Sequence, residues 1–155
     1  MLMVYWAVSS YEQHETFGFD LKVKAVENME NAINSLREEF IARGINNGED
    51  SLAFGSFLLG PQNSIIQTTK GSIVSKLSTL NPNFAAMIME MLIELELDSS
   101  SKVAVSYTGS YPGANIAVLS ALEVMNLEAS IISSCGSSEW GATYPEMTWI
   151  EMENY

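Results

Sequence analysis

The chain has one cysteine, Cys135, and one histidine, His14. A single thiol cannot close an internal disulfide, and one histidine with no cysteine near it cannot supply the clustered donors of a zinc site, so neither kind of staple is expected and no metal is assigned. His14 reads as a surface residue. Basic side chains are also scarce: seven Lys and Arg stand against nineteen Asp and Glu, for a formal charge of −12, and no Lys or Arg follows Lys102. A chain of this kind lacks the cationic footprint of a nucleic-acid binder. Long apolar runs are missing as well. The apolar stretch MLMVYWAV at residues 1 to 8 is well short of the about 20 residues of a membrane-spanning helix, and has no basic flank or small-residue cleavage site of a signal peptide. It reads either as a first strand or as the trimmed stub of a membrane anchor, and we favour the stub.

What is present suits one globular core. With 155 residues and 47% apolar content, we expect an N-terminal segment over 1–19 and a single α/β domain over 20–155, truncated or naturally short at its C-terminal end. Apolar residues recur at Val26, Met29, Ile33, Leu36 and Phe40, the spacing of one helical face, and the pattern predicts a helix from Asp20 to Arg43 stopped by Gly44. Residues 45–51 read as a loop. LAFGSFLL from Leu52 reads as a buried strand ending at Gly60-Pro61. Asn81 and Pro82 open a second helical run that continues to Asp98. Met87, Met89, Met91 and Met125 fit core filling better than a set of sulfur ligands.

Residues 103–115, VAVSYTGSYPGAN, are the densest signal: a short apolar strand, a Thr-Gly-Ser turn, then Pro-Gly opening an amphipathic helix over 113–126. The strand ASIIS follows from Ala129. Strand, helix and strand within about 30 residues is the spacing of a parallel crossover, so we expect a layered α/β domain with a mostly parallel sheet and a Rossmann-like crossover at 102–134.

In such sheets ligands sit beyond the carboxyl ends of the strands, where helix N-termini converge. The candidate ligand-binding residues are therefore Thr108, Gly109, Ser110 and Asn115 in the first loop and Ser133, Ser134, Gly136, Ser137, Trp140 and Gly141 in the second. Thr68 and Thr69 join them if LAFGSFLL enters the same sheet. Lys70 or Lys76 would supply the nearby positive charge. Each residue also has a plainer reading: the glycines permit tight turns, Asn115 caps a helix, and Pro112-Gly113 only starts one. Ser110 does not lie in a G-x-S-x-G elbow, and no histidine follows Ser110 or Cys135 to act as a base, which argues against a covalent mechanism. Glu139, Glu146, Glu151 and Glu153, with Trp140, Tyr144, Trp149 and Tyr155, read first as a solvated acidic face and packing aromatics.

Three segments taken in order carry a resemblance. IQTTKGSIVSKLSTLNPNFAAMIM (66–89), SYTGSYPGANIAVLSALE (106–123) and IISSCGSSEWGATYPEMTWIEME (131–153) resemble successive signatures of the poly-gamma-glutamate system protein family. They include T-G-S-aromatic-P, N-I-A-V-L, I-S-S-x-G-x-S, W-G-A and P-x-x-T-W. The chain departs from the pattern at Tyr111, Gly113, Cys135 and Glu139, which speaks against a mechanistic role for Cys135 and a ligand role for Glu139. The resemblance implies a bacterial, membrane-associated accessory protein of the cell envelope, working with poly-γ-glutamate synthase or export membrane proteins and with the γ-glutamyl polymer. It does not supply a reaction, and it leaves the cofactor unknown. A hydrolase or ligase acting on a γ-glutamyl or other carboxylate substrate, and a non-catalytic interaction subunit, stand as alternatives.

Overall fold

The computed structural model of the protein describes residues 17–45 and 56–155. His14, most of the expected N-terminal segment and of the 45–51 loop, and the first half of LAFGSFLL lie outside these residues. Five helices and two strands follow in chain order: α1 (Phe19–Ala42), α2 (Ile73–Thr79), α3 (Asn83–Glu94), β1 (Lys102–Thr108), α4 (Pro112–Val124), β2 (Glu128–Ser134) and α5 (Trp149–Met152).

The periodicity of α1 does what it predicts. Ala25, Met29, Leu36 and Phe40 are buried along one stripe, and the helix packs on α3 and α4. Lys22 pairs with Glu90 of α3, and Asn28 Nδ2 donates to Glu123 Oε2 of α4 at 3.2 Å. Phe40 is gripped from two sides, edge-to-face against Phe57 at 5.0 Å and Tyr144 at 5.5 Å; such pairs add roughly 0.5–1.5 kcal/mol each beyond area burial. Methionine fills this core at Met29, Met89, Met147 and Met152. Met87 and Met91 are exposed instead, because they fall on the outer face of α3.

α4 is the most enclosed helix, burying Gly113, Ile116, Ala117, Ser120, Ala121 and Leu122. Its small residues let α1, α2 and α3 approach it together. β1 and β2 pair in parallel, Lys102 opposite Glu128 through Thr108 opposite Ser134, with α4 as the connection. Burial along β1 alternates strictly: Val103, Val105 and Tyr107 turn inward, while Ala104, Ser106 and Thr108 face outward. The sheet of the described residues thus has two strands and one open face.

Two expectations are corrected. Ser56–Leu59 form a turn, not a strand, with Leu59 N–H donating to Ser56 O at 3.4 Å; Leu58 and Leu59 are buried as a plug, so the apolar run marks burial without extension. The second helix ends at Glu94, short of Asp98: Glu96 takes a left-handed φ of 55°, and Leu97 N–H bonds back to Leu92 O at 3.4 Å, a turn that closes the helix end. No helix among the described residues is long and apolar enough to cross a membrane.

Gly113 shows how tightly α4 is seated. A Cβ there would stand 2.5 Å from Thr79 O and 2.7 Å from Thr79 C at the end of α2, and neither backbone atom can swing away. Gly113→Ala is expected to destabilise the fold by about 1–3 kcal/mol through overpacking, read as a lowered urea midpoint with unchanged slope. An unchanged midpoint would show that α2 and α4 are free to separate.

Candidate functional site

Beyond the carboxyl ends of β1 and β2 three loops meet. The segment after β1 turns at Gly109, buried because a Cβ would meet Ser137 Cβ at 3.2 Å and Trp149 Cβ at 3.3 Å. Gly109 N–H is shared between Ser134 O at 3.2 Å and Gly136 O at 3.1 Å, and its carbonyl accepts from Ala142 N–H at 2.7 Å. The second loop is joined to residues 66–69 by backbone pairing: Ser137 N–H to Ile66 O at 3.2 Å, Thr68 N–H to Ser137 O at 2.8 Å, and Glu139 N–H to Thr69 O at 2.8 Å. Thr68 and Thr69 therefore do reach the rim, but through their own bridge to the 137–139 loop and not through an upstream strand.

At the centre is Lys76. Ser72 caps α2, its hydroxyl accepting from Ser75 N–H at 3.4 Å, and one turn later the Lys76 side chain passes fully buried between the loops. Its Nζ donates to Ser138 Oγ at 2.8 Å and to the carbonyl of Ser110, and lies 4.5 Å from the centre of the Tyr111 ring. Burial disfavours the ammonium and lowers its pKa to about 8. No carboxylate pairs with Lys76 among the described residues. Ser110 Oγ accepts from Ser138 N–H at 3.0 Å and from Thr108 Oγ1 at 2.8 Å, so Thr108, Ser110, Ser138 and Lys76 form one connected polar chain.

The sequence-derived candidates divide. Thr68, Thr69, Thr108 and Ser134 are exposed on the rim, and Ser110 is partly exposed there. Asn115 is buried and its Nδ2 donates to Thr108 O at 2.8 Å, tying α4 to β1; it is a strut. Ser137 is buried and its hydroxyl donates to Gly109 O at 3.0 Å. Ser133 sits opposite Tyr107 in the register, away from the rim-facing Thr108 and Ser134, and its buried hydroxyl has no partner among the described residues. Gly141 is packed so closely that a Cβ would meet Ser137 Oγ at 2.2 Å and Gly109 O at 2.4 Å. Its neighbour Trp140 holds a φ of 65°, a conformation that costs a bulky residue on the order of 1–3 kcal/mol and fixes the turn that presents Ser138. Gly136 lies under Thr68, whose Cγ2 would be 3.1 Å from an added Cβ.

Ser138 and Gly71 were not among the candidates. Gly71 lies over Lys76 and Ser138: a Cβ there would stand 3.0 Å from Lys76 Cε and 3.4 Å from Ser138 Oγ. The only sequence signal for either was position, Ser138 inside the second loop and Gly71 beside Lys70.

The acidic, aromatic tail is mostly structural. Glu151 closes a capping box with Thr148, Trp149 is core and stacks edge-on to Tyr107 at 5.5 Å, and Arg43 gathers Glu39, Glu146 O and the Tyr155 hydroxyl. Tyr107 Oη donates to Glu153, and burial with that carboxylate raises the phenol's pKa. No group of acidic, His and Cys side chains among the described residues is arranged to hold a metal ion. A separate cavity of about 220 Å³ lies under α1, α4 and α5, lined among others by Asn28, Glu123, Trp149 and Glu153. Comparison with protein-family models, curated proteins and solved structures finds no match.

The buried lysine couples stability to pH. Its folded pKa, about 8, lies below the ordinary lysine value of 10.5, so between these values the unfolded chain binds the extra proton and stability rises with pH; below about 8 the cost of the buried charge is constant. Chemical denaturation from pH 7 to 10 is expected to show that rise, with Lys76→Met flattening it. An equal slope in both proteins would mean that the ammonium is not held in a desolvated site.

Proposed function

We propose that the protein is a membrane-associated accessory component of poly-γ-glutamate production or export at the cell envelope, whose three-loop rim takes carboxylates of the γ-glutamyl chain. One observation carries this reading. The three stretches that resemble the poly-gamma-glutamate system family are separate in sequence, and each contributes one wall of the same site: Thr68 to Gly71 with Lys76, Thr108 to Tyr111, and Ser134 to Gly141. In this proposal the crossover at 102–134 is Rossmann-like, with its ligand beyond the carboxyl ends of the strands.

The electrostatics narrow how a polyanion would bind. A chain of net charge −12 repels polyglutamate at a distance, so contact needs a local source of cations or donors. Exposed Lys70 and the hydroxyls of Thr68, Thr69, Thr108 and Ser134 provide one, with the Lys76 ammonium behind them. A second reading, an interaction subunit that docks on synthase or export membrane proteins, is favoured by Ile132, 73% exposed on β2.

Addition of γ-linked glutamate oligomers to ¹⁵N-labelled protein is expected to shift the amide signals of Thr68, Lys70, Ser134 and Gly136. Lys70→Glu, at an exposed site where folding is untouched, should weaken the response at least tenfold. Silence of these signals at millimolar oligomer would reject the carboxylate site.

A further inference from the structure

Ser138 and Lys76 have the geometry of more than a strut. Ser138 is partly exposed on the rim, while Lys76 is fully enclosed behind it, and their Oγ and Nζ atoms are 2.8 Å apart. That is the distance over which a serine hydroxyl passes its proton to a base. Serine–lysine pairs replace histidine-based triads when the lysine is kept from full protonation by a dry environment. Here the environment is dry: the Tyr111 ring covers Nζ at 4.5 Å, the stem is packed beneath Gly71, and no carboxylate of the described residues pairs with the ammonium. The serine is held as a nucleophile must be. Its N–H is fixed on Ser110 Oγ at 3.0 Å, and the turn that follows closes through Gly141 N–H on Ser138 O at 3.0 Å and contains the strained Trp140. Gly71 brings its backbone to the pair without a side chain that would cover Ser138 Oγ.

We propose that Ser138 and Lys76 form a nucleophile–base pair that hydrolyses γ-glutamyl amide bonds at the three-loop rim. This rests on the carboxylate-binding reading above for its substrate, though not for its chemistry. Neutral Lys76 accepts the Ser138 hydroxyl proton as Oγ forms a bond to the amide carbonyl carbon. The C–N bond then breaks, and the Lys76 ammonium returns its proton to the departing amine, leaving an acyl ester on Ser138. Water gives one proton to Lys76 and its oxygen bonds to the ester carbon; the ester C–O bond breaks, Ser138 Oγ regains that proton, and a free carboxyl is released. Ser110 and Thr108 are positioning residues, acting through the Ser138 amide. No histidine is needed in this arrangement, because the base is a lysine 62 positions upstream of the serine.

The full chain is treated with a fluorophosphonate, a probe that bonds covalently to activated serines, and labelled peptides are read by mass spectrometry. Label is expected on Ser138, absent in Ser138→Ala and reduced at least a hundredfold in Lys76→Met and in Lys76→Arg, which keeps a charge that cannot act as base. Circular dichroism shows whether each variant folds. In the native chain the labelling rate should rise about tenfold per pH unit from 6 toward 8, where Lys76 loses its proton, and then level; Tyr111, Lys70, Cys135 and Glu139 are the other ionisable groups on the segments packed there, and Cys135→Ser and Glu139→Gln should leave the profile in place. Absence of label on Ser138, label indifferent to Lys76 in folded variants, or a flat rate from pH 6 to 9 would overturn the pair. Release of free amine from γ-linked glutamate oligomers supports the assigned substrate. A labelled Ser138 with oligomers that bind and stay intact overturns hydrolysis of that substrate, and a labelled Ser138 with no oligomer binding at all overturns the carboxylate-site reading while the pair stands.

Discussion

An ammonium group taken out of water is expensive, and with no carboxylate beside it among the described residues the compensation available to Lys76 comes from the Ser110 carbonyl, the Ser138 hydroxyl and the face of Tyr111. Those partners belong to two loops separated by a helix and a strand. Satisfying one cation therefore fixes the distance between the loop after β1 and the loop after β2. It also explains the crowding nearby. α2 must come close enough to deliver the side chain, and it does so at Gly113, where only a missing Cβ lets the Thr79 carbonyl touch α4.

Besides the Lys76 and Asn115 hydrogen bonds, the loops are joined to the helical core by close packing at Gly109. Gly109 lies against Ser137 on one side and Trp149 on the other, and Trp149 packs on Tyr107, whose hydroxyl is held by Glu153. The path from rim to core runs through buried, close-packed atoms, so the rim is backed by rigid structure and not by a floppy connection. Backbone pairing of 66–69 with 137–139 adds a short extension beyond the end of β2. The strain at Trp140 persists because Gly141, Gly109 and Ser137 leave the turn no other space.

Much of this was legible in the residues. The β1–α4–β2 unit is visible because its alternation and helical spacing are both local, and the fold agrees with each. LAFGSFLL misled because an apolar run records burial, and Leu58 and Leu59 achieve burial in a turn. The three polar loops were identified, yet which hydroxyls face solvent was not: Ser137 and Asn115 spend their hydrogen bonds on Gly109 and Thr108 carbonyls, a matter of tertiary packing. Hardest of all is the Lys76 to Ser138 contact. Nothing near Lys76 in the chain marks it as buried, since α2 is short and its neighbours are Ser75 and Leu77, both exposed.

The distribution of the seven basic residues sharpens what the rim is for. Lys22 pairs with Glu90, Arg43 holds the C-terminal tail to α1, and Lys102 pairs with Glu128 across the sheet. Arg37 lies over the Phe57 ring. These four act on the fold or its surface and Lys24 is exposed on α1; Lys70 and Lys76, six positions apart, belong to the segments that converge at the rim. An enclosed lysine without a carboxylate partner among the described residues is costly, and a fold that needed only to tie loops together would do so at lower cost with neutral groups. In the proposed site, the enclosed lysine against a partly exposed serine would take the proton, and the exposed Lys70 would hold the negative group. A purely structural knot would need no such division between the two lysines.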